Sequence, residues 1–423
     1  LKDTLAVVGL GYVGLPLLIE AGSKGYRVVG VDVDPDRVDY INRRNSPVPE
    51  FADDRLFDLV EGHQVRATCN FGVLSSATYI VVCVPTPLGK TREPDVSMVL
   101  RALDAIHEHL RAGQVVVIES TTYPGFTREV ALPLLEKSGL RVGREFFLGF
   151  SPERIDPGNP RWNLTNTPKV VAGVTEECGR RVEDFYRSIV DTVHRVSSTD
   201  AAELVKLLEN TFRAVNVGLA NELAMMSHRL GVSSFEVVEA AATKPFGFMP
   251  FYPGPGLGGH CIPVDPLYLS WKMKMLNYSV RFVELADTLN SSMPDYVVAR
   301  FQDLLNRYGR CVRGTRILVS GVSYKRDVSD IRETPAERVL ELLVQRGGEV
   351  FWYDPMVDPK IHSLGGARAV GFEEGLESAE ACLIVTDHQQ VDYVRLCDRE
   401  IPVLDTRGVT RRLGLFREWV ELI

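Results

Sequence analysis

The stretch TLAVVGLGYVGLPLLIEAGSKGYRVVGVDVDP, residues 4–35, decides the fold. An apolar run passes through a glycine turn into an amphipathic helical pattern, and a second apolar run closes on Asp32. Gly9, Gly11 and Gly14 form GxGxxG where strand becomes helix, and Asp32 follows 18 residues after Gly14. In that setting the three glycines serve the tight turn, the close approach of backbone to a pyrophosphate, and the contact between helix and strand. Asp32 would accept hydrogen bonds from an adenosine ribose and repel a 2′-phosphate, so the expected cofactor is NAD rather than NADP. Arg37 lies near enough in sequence to bear on that choice.

The same logic extends along the sheet. YIVVCVPTP (79–87) and QVVVIESTT (114–122) read as further strands ending in small hydroxyl residues and proline. Ligands of an open parallel sheet gather at such ends. Tyr12, Val13, Pro85, Thr86 and Thr121 therefore join the glycines, Asp32 and Arg37 as expected cofactor contacts.

A degenerate copy of the unit stands near the C-terminus. RILVSGVSYK (316–325) reads as strand, TPAERVLELLVQRGG (334–348) as helix and EVFWYDP (349–355) as a strand closing on Asp354; ACLIVTDH (381–388) then echoes YIVVCVPT. Here SGVSYKRD replaces the glycine triplet, so a different phosphate compound is expected there. The fold class is α/β, with two Rossmann-like parallel-sheet domains joined by a long central helix. Expected limits are 1–197, 198–300 and 301–423. The helix is STDAAELVKLLENTFRAVNVGLANELAMMSHRLG (198–231), with Asp200 as cap, Glu203 completing a capping box and Gly231 ending it.

Bulk composition narrows the class. At 423 residues the chain exceeds one core, and a formal charge of -8 speaks against a nucleic-acid surface. The absence of a long apolar run and of a signal-peptide pattern predicts no membrane association and a cytoplasmic location. Seven scattered cysteines without a CxxC pair are expected to be thiols, not a disulfide framework or zinc site. No metal site is expected, and His107 and His109 read as surface residues of a polar helix.

One thiol stands apart. FYPGPGLGGHCIPVDP (251–266) sets Cys261 behind Gly254, Gly256, Gly258 and Gly259, in a segment that is neither ordinary helix nor ordinary strand. A thiol in a chain with an NAD turn implies aldehyde oxidation, because hydride cannot leave an aldehyde carbon to give an acid until a nucleophile has made that carbon tetrahedral. Lys206 and Asn210, four residues apart on the long helix, share one face. The Lys206 ammonium would favour the thiolate and stabilise an oxyanion. Asp265 follows the thiol by four residues.

GLGYVGLP, VPTP, SPE, the K-x-x-x-N helix, GGHCxPxD and SYKRDVSDIRETP occur in one order along nearly the whole chain, which thereby resembles the UDP-glucose/GDP-mannose dehydrogenase family. The resemblance implies oxidation of the C6 hydroxyl of a nucleotide sugar to a carboxylate with two NAD and one water. Cys261 then resembles the nucleophile that carries thiohemiacetal and thioester. Lys206 and Asn210 match the oxyanion-stabilising pair, and Asp265 the acid that organises water and lysine. Thr121 and Glu153 match the residues that hold or activate the hydrolytic water. Lys325, Asp330 and Arg332 fall on the motif contributing to the nucleotide-sugar site, with Lys325 also reaching the cofactor. Arg154, Phe251, Tyr252, Gly256 and Gly258 complete the implied substrate contacts. A homodimer through the 198–231 helix is implied as well.

Within the family, UDP-glucose enzymes carry a second glutamate where this chain has Pro157, FGGSCFxKD where it has LGGHCIPVD, and an arginine near Lys244 and Pro245. SPERIDPGNP and FMPFYPGPGLGGHCIP instead resemble the branch acting on UDP-N-acetylhexosamines. The expected substrate is UDP-N-acetylglucosamine, with UDP-N-acetylmannosamine or UDP-glucose as alternatives and a non-catalytic nucleotide-sugar-binding regulator as the rival class. His260 is adjacent to the thiol, and neighbours in an extended loop point apart, which disfavours a Cys-His dyad.

Overall fold

The computed structural model describes residues 3–48, 54–89, 91–156, 159, 161–259, 262–360 and 363–423. Cys261, His260 and Pro157 lie outside the described residues. The chain divides into two compact units, residues 1–209 with 267–279, and residues 210–266 with 280–423.

The first unit holds eight strands: β1 (Thr4–Val8), β2 (Arg27–Val31), β3 (Val65–Thr68), β4 (Tyr79–Val82), β5 (Val115–Ile118), β6 (Phe147–Phe150), β7 (Lys169–Gly173) and β8 (Val193–Arg195). Their order is β3-β2-β1-β4-β5-β6-β7-β8, parallel throughout except between β6 and β7. Leu5 and Val7 of β1 face one apolar layer, and Ala6 and Val8 the other. Strands buried on both faces must be apolar continuously, which is why the two runs of residues 4–35 show no polar alternation. Strand order reverses between β1 and β4, and in sheets of this kind ligands bind at the carboxyl ends beside such a reversal.

The second unit repeats the plan with β9 (Arg316–Ser320), β10 (Glu349–Tyr353), β11 (Arg368–Ala369), β12 (Ala381–Ile384), β13 (Val403–Asp405) and β14 (Val420–Leu422). Their order is β11-β10-β9-β12-β13-β14, all parallel, so the second copy read from sequence has the same switch point, between β9 and β12. Ile317 and Val319 face one core and Leu318 the other.

The long helix spans Thr199–Leu230, beginning in the first unit and continuing in the second. Gly231, at φ 69°, ends it as expected. The start differs from the capping box read in the sequence. Ser198 is the cap, its Oγ accepting from Ala201 N–H at 3.1 Å, while Asp200 pairs with Arg128 at 3.1 Å. Glu203 turns inward, fully buried, and accepts from Gly125 N–H (2.6 Å), Thr127 N–H (2.8 Å) and Thr127 Oγ (2.6 Å). A carboxyl that satisfies a loop some 76 residues away has no local signature.

Burial pushes the Glu203 carboxyl up to about 7, against the hydrogen bonds that favour its charge. A raised folded value means stability held in full below about 4.5 and lost as pH rises through about 7. The amount at stake is on the order of 3 kcal/mol. Glu203→Gln is expected to remove that slope, so the melting temperature of the wild type falls relative to that of the variant as pH rises from 5 to 8. A difference that stays constant across the range would show that Glu203 does not titrate there.

Candidate functional site

At the first switch point the sequence-predicted turn is in place. Gly9 has φ 94°, and a Cβ on it would meet the Cys83 carbonyl oxygen at 2.7 Å. A Cβ on Gly14 would sit 1.8 Å from the Gly9 carbonyl oxygen, whereas one on Gly11 would meet nothing within 4 Å. The turn is closed on the protein side and open at Gly11, the arrangement a dinucleotide pyrophosphate needs. Val13 immediately precedes the helix Gly14–Ser23, and Tyr12 packs against the core beside it.

Asp32 is buried at the end of β2, accepting from Leu10 N–H at 2.8 Å and Asp34 N–H at 3.0 Å. Arg37 Nη1 lies 3.2 Å from Asp32 and is about one-third exposed. The two residues predicted to govern the ribose are thus brought together, with the arginine on the solvent side. Pro85 and Thr86 follow β4, and the Tyr268 hydroxyl donates to the carbonyls of Thr86 (2.9 Å) and Pro87 (3.1 Å), fixing that edge. Half-buried Thr121 follows β5.

Glu153 sits just past β6, buried, between two cations. Its Oε1 accepts from the backbone N–H groups of Arg154 and Ile155, both at 2.6 Å, and its Oε2 pairs with Lys169 Nζ at 2.9 Å. Lys206 Nζ donates to the Glu153 carbonyl oxygen at 2.6 Å. The structure therefore joins two residues that the sequence placed 53 positions apart. Burial alone would raise the Glu153 carboxyl; Lys169 more than offsets this and holds it below the usual range. Arg154 turns away, to Glu209 at 2.7 Å and the Pro168 carbonyl at 2.7 Å. Lys169, with Glu119 behind it, was missed in the sequence. The available signal was a lysine opening an otherwise apolar buried strand, KVVAG.

In the second unit Asn210 Nδ2 donates to Asp265 Oδ2 at 2.5 Å, and Asp265 is buried in the first turn of the helix Asp265–Met275. The segment leading to Cys261 is held residue by residue. Gly254 N–H donates to Asn221 Oδ1 at 2.9 Å. Gly256, at φ 131°, passes the Asn290 carbonyl, where a Cβ would come within 3.1 Å. That carbonyl has no helical N–H partner because Pro294 stands four residues on, inside the helix Arg281–Arg307. Cβ atoms on Gly258 and Gly259 would strike Tyr324, at 2.8 and 2.7 Å. Gly259 N–H donates to the Arg332 carbonyl at 3.3 Å. Phe251 packs on Phe212, and Tyr252 stacks on Phe235.

The loop after β9 thus carries Tyr324 against the glycines and half-buried Lys325 beside it. Arg332 is clamped by Asp330, Nη2 to Oδ2 at 2.7 Å and Nε to Oδ1 at 3.0 Å. Arg407, in DTRGV after β13, was also missed. Its Nε donates to the Val385 carbonyl at 2.7 Å and its Nη1 faces Gly254, where a Cβ would come within 2.8 Å. Burial depresses its pKa, although Asp387 and Asp405 act the other way. A desolvated guanidinium beside a glycine-rich loop suits a phosphate.

Asp354 stands where Asp32 does in the first copy, accepting from Val322 N–H (2.7 Å) and Ser323 N–H (2.9 Å). Fully buried His388 closes it, Nε2 lying 2.9 Å from Asp354 Oδ2. Its Nδ1 accepts from Asp327 N–H at 3.0 Å, which leaves the proton on Nε2. Among the described residues no cluster of His, Cys, Asp and Glu could hold a metal, and no helix is long and apolar enough to cross a membrane. The six described cysteines are thiols.

Three domains of the UDP-glucose/GDP-mannose dehydrogenase family match the chain: the NAD binding domain over residues 3–190, the central domain over 200–292 and the UDP binding domain over 318–412. The UDP-N-acetyl-D-glucosamine 6-dehydrogenase of Pseudomonas aeruginosa is 37% identical over 90% of this chain and 91% of its own. The UDP-N-acetyl-D-mannosamine dehydrogenase of Pyrococcus horikoshii is 35% identical over 92% of this chain and 90% of its own. Among solved structures, a UDP-D-ManNAc dehydrogenase from Pyrococcus horikoshii superposes with TM-score 0.88 at 33% identity, covering 99% of both chains. A UDP-glucose dehydrogenase from Pyrobaculum islandicum gives TM-score 0.88 at 26% identity, covering 100% of this chain and 97% of that one.

Proposed function

Since this chain belongs to the UDP-glucose/GDP-mannose dehydrogenase family, whose members are NAD-dependent, we propose that it oxidises C6 of UDP-N-acetylglucosamine to the uronic acid. Cys261 is the nucleophile of this reading. The observation that carries it is the packing of Gly258 and Gly259 on Tyr324, which fastens the segment leading to the thiol onto the loop of Lys325 and Arg332.

The turn at Gly9, Gly11 and Gly14, with Asp32, would hold NAD, which supplies the hydride acceptor for both oxidations. Lys206 and Asn210 stabilise negative charge on the C6 oxygen, and Asp265 fixes the Asn210 amide. The Cys261 thiolate adds to the aldehyde carbon, making it tetrahedral so that the second oxidation yields a thioester. Glu153, with Thr121, takes the proton of the water that hydrolyses the thioester and frees the thiol. Arg407 and Lys325 grip the diphosphate.

NADH release should reach two per sugar, with higher kcat/KM on UDP-N-acetylglucosamine than on UDP-glucose. One NADH with free aldehyde would sink the four-electron scheme. Better turnover of UDP-N-acetylmannosamine, the substrate named for the 35% identical relative, would move the assignment to that epimer.

The active form of this reading is a homodimer through the long helix. Leu204, Leu208, Phe212, Leu219, Met226 and Leu230 are exposed along it, from 42% to 75%. At 100° per residue they fall within a stripe about 80° wide. Such a stripe on a 32-residue helix calls for a second apolar face. Leu208→Glu with Leu219→Glu is expected to convert the dimer to monomer in light scattering; an unchanged mass would place the interface elsewhere.

A further inference from the structure

Behind Glu153 lies a buried cluster that the proposed chemistry leaves unexplained. Lys169 Nζ is 2.9 Å from Glu153 Oε2 and 3.1 Å from Glu119 Oε2, and the three residues are 4%, 8% and 1% exposed. The contact to Glu153 is an aligned hydrogen bond, whereas Glu119 Oε2 is ion-paired without that alignment. The Tyr186 hydroxyl donates to Glu119 Oε1, and Lys169 also lies over the Tyr186 ring at 5.3 Å.

The groups facing this cluster come from every neighbouring element. Cys83 follows β4, with burial, then Glu119, raising its thiol far up. Tyr186 comes from the helix Glu176–Arg187, and burial likewise raises its phenol. Lys206 comes from the long helix but binds the Glu153 carbonyl, and Arg154 is turned to Glu209. One ammonium therefore serves two buried carboxyls. With both ionised, Lys206 helps to offset Glu153, whereas Glu119 is left with a share of Lys169 and no water, and a proton on Glu119 relieves its burial. Burial, reinforced by Glu153 and opposed by Lys169, pushes Glu119 up to about 7.

We propose that Glu119 and Lys169 are positioning residues that set the basicity of Glu153. With a proton on Glu119, the ammonium acts on Glu153 alone and makes it a weak base. When Glu119 ionises, Lys169 is divided between two carboxylates, Glu153 becomes more basic, and thioester hydrolysis accelerates. This rests on the reading of Glu153 as the group that activates water.

The test isolates hydrolysis by following decay of the acyl-enzyme with intact mass after rapid quench, across about pH 6 to 8, the window around the Glu119 value. In the wild type the decay rate should climb through a limb near pH 7 by roughly three- to fivefold, the scale of a one-unit change in a general base with a fractional Brønsted coefficient. Glu119→Gln should lose the limb and stay flat at the low-pH rate, with NAD affinity unchanged. A purely structural role would scale the rate at every pH and keep the limb. A limb retained in Glu119→Gln overturns the proposal.

Glu153→Gln separates this from the underlying reading. It should accumulate acyl-enzyme, and wild-type decay in that variant would refute the role of Glu153 itself. Should Glu119→Gln not fold, infrared difference spectra of the wild type decide. Recorded in the Glu203→Gln background, because Glu203 titrates over the same interval, the band of a buried protonated carboxylic acid must disappear as decay accelerates, and its absence overturns the proposal.

Discussion

Cys261→Ala is expected to bind NAD and the nucleotide sugar as the wild type does and to form no uronic acid, a fall on the order of 10⁴-fold or more in kcat. The turn of Gly9, Gly11 and Gly14 and the clamp of Arg332 by Asp330 lie apart from the substituted side chain in sequence and keep their own partners. What is lost is the bond that makes the aldehyde carbon tetrahedral, so adding aldehyde-level substrate does not restore turnover. Cys261→Ser is expected to stall as an ester, since an alkoxide leaves less readily than a thiolate. Calorimetry for binding and intact mass under turnover read both halves of the result. Acid formed by the alanine variant at the wild-type rate would reduce the thiol to a packing residue.

Lys206→Ala should lower kcat by roughly 10² to 10³-fold with a much smaller change in KM, the pattern of a group acting on developing charge. The lysine already has a fixed position, because its Nζ donates to the Glu153 carbonyl at 2.6 Å. The variant therefore removes an oriented cation and also leaves that carbonyl without its donor. Primary isotope effects with C6-deuterated sugar check the assignment, since slowing of the oxidations brings the full effect into kcat. A raised KM with unaltered kcat would make Lys206 a group that binds ground state and transition state alike.

The fold was legible because its signals are local. Gly9, Gly11, Gly14 and Asp32 lie within one βαβ unit, and the loss of that triplet at SGVSYKRD was visible as a difference between two copies. Motifs also pointed to Thr121 and Glu153, which the structure sets just past β5 and β6. Lys169 and Glu119 could not, because their meaning depends on β5 and β7 being brought to one buried point from 50 residues apart. Glu203 misled for the same reason. Its spacing from Asp200 fits a cap, but tertiary hydrogen bonds to Gly125 and Thr127 outweigh that local option. The glycines before Cys261 were read correctly as a close approach, yet only the structure identifies the approaching groups: the Arg407 guanidinium at Gly254, the Asn290 carbonyl at Gly256 and Tyr324 at Gly258 and Gly259.

The closure of Asp354 by His388 bears on how one chain can carry two versions of one scaffold without confusion between them. In the first copy the acid's outer partner is Arg37, on a flexible stem at the surface, which can yield to an incoming ribose. In the second, an imidazole with no solvent exposure occupies that role permanently and is itself pinned by the Asp327 amide. The duplicate is plugged from within by its own side chain. The acid of the second copy is therefore committed on every side to the protein's own buried groups, whereas that of the first keeps one side answered only by a partly exposed arginine.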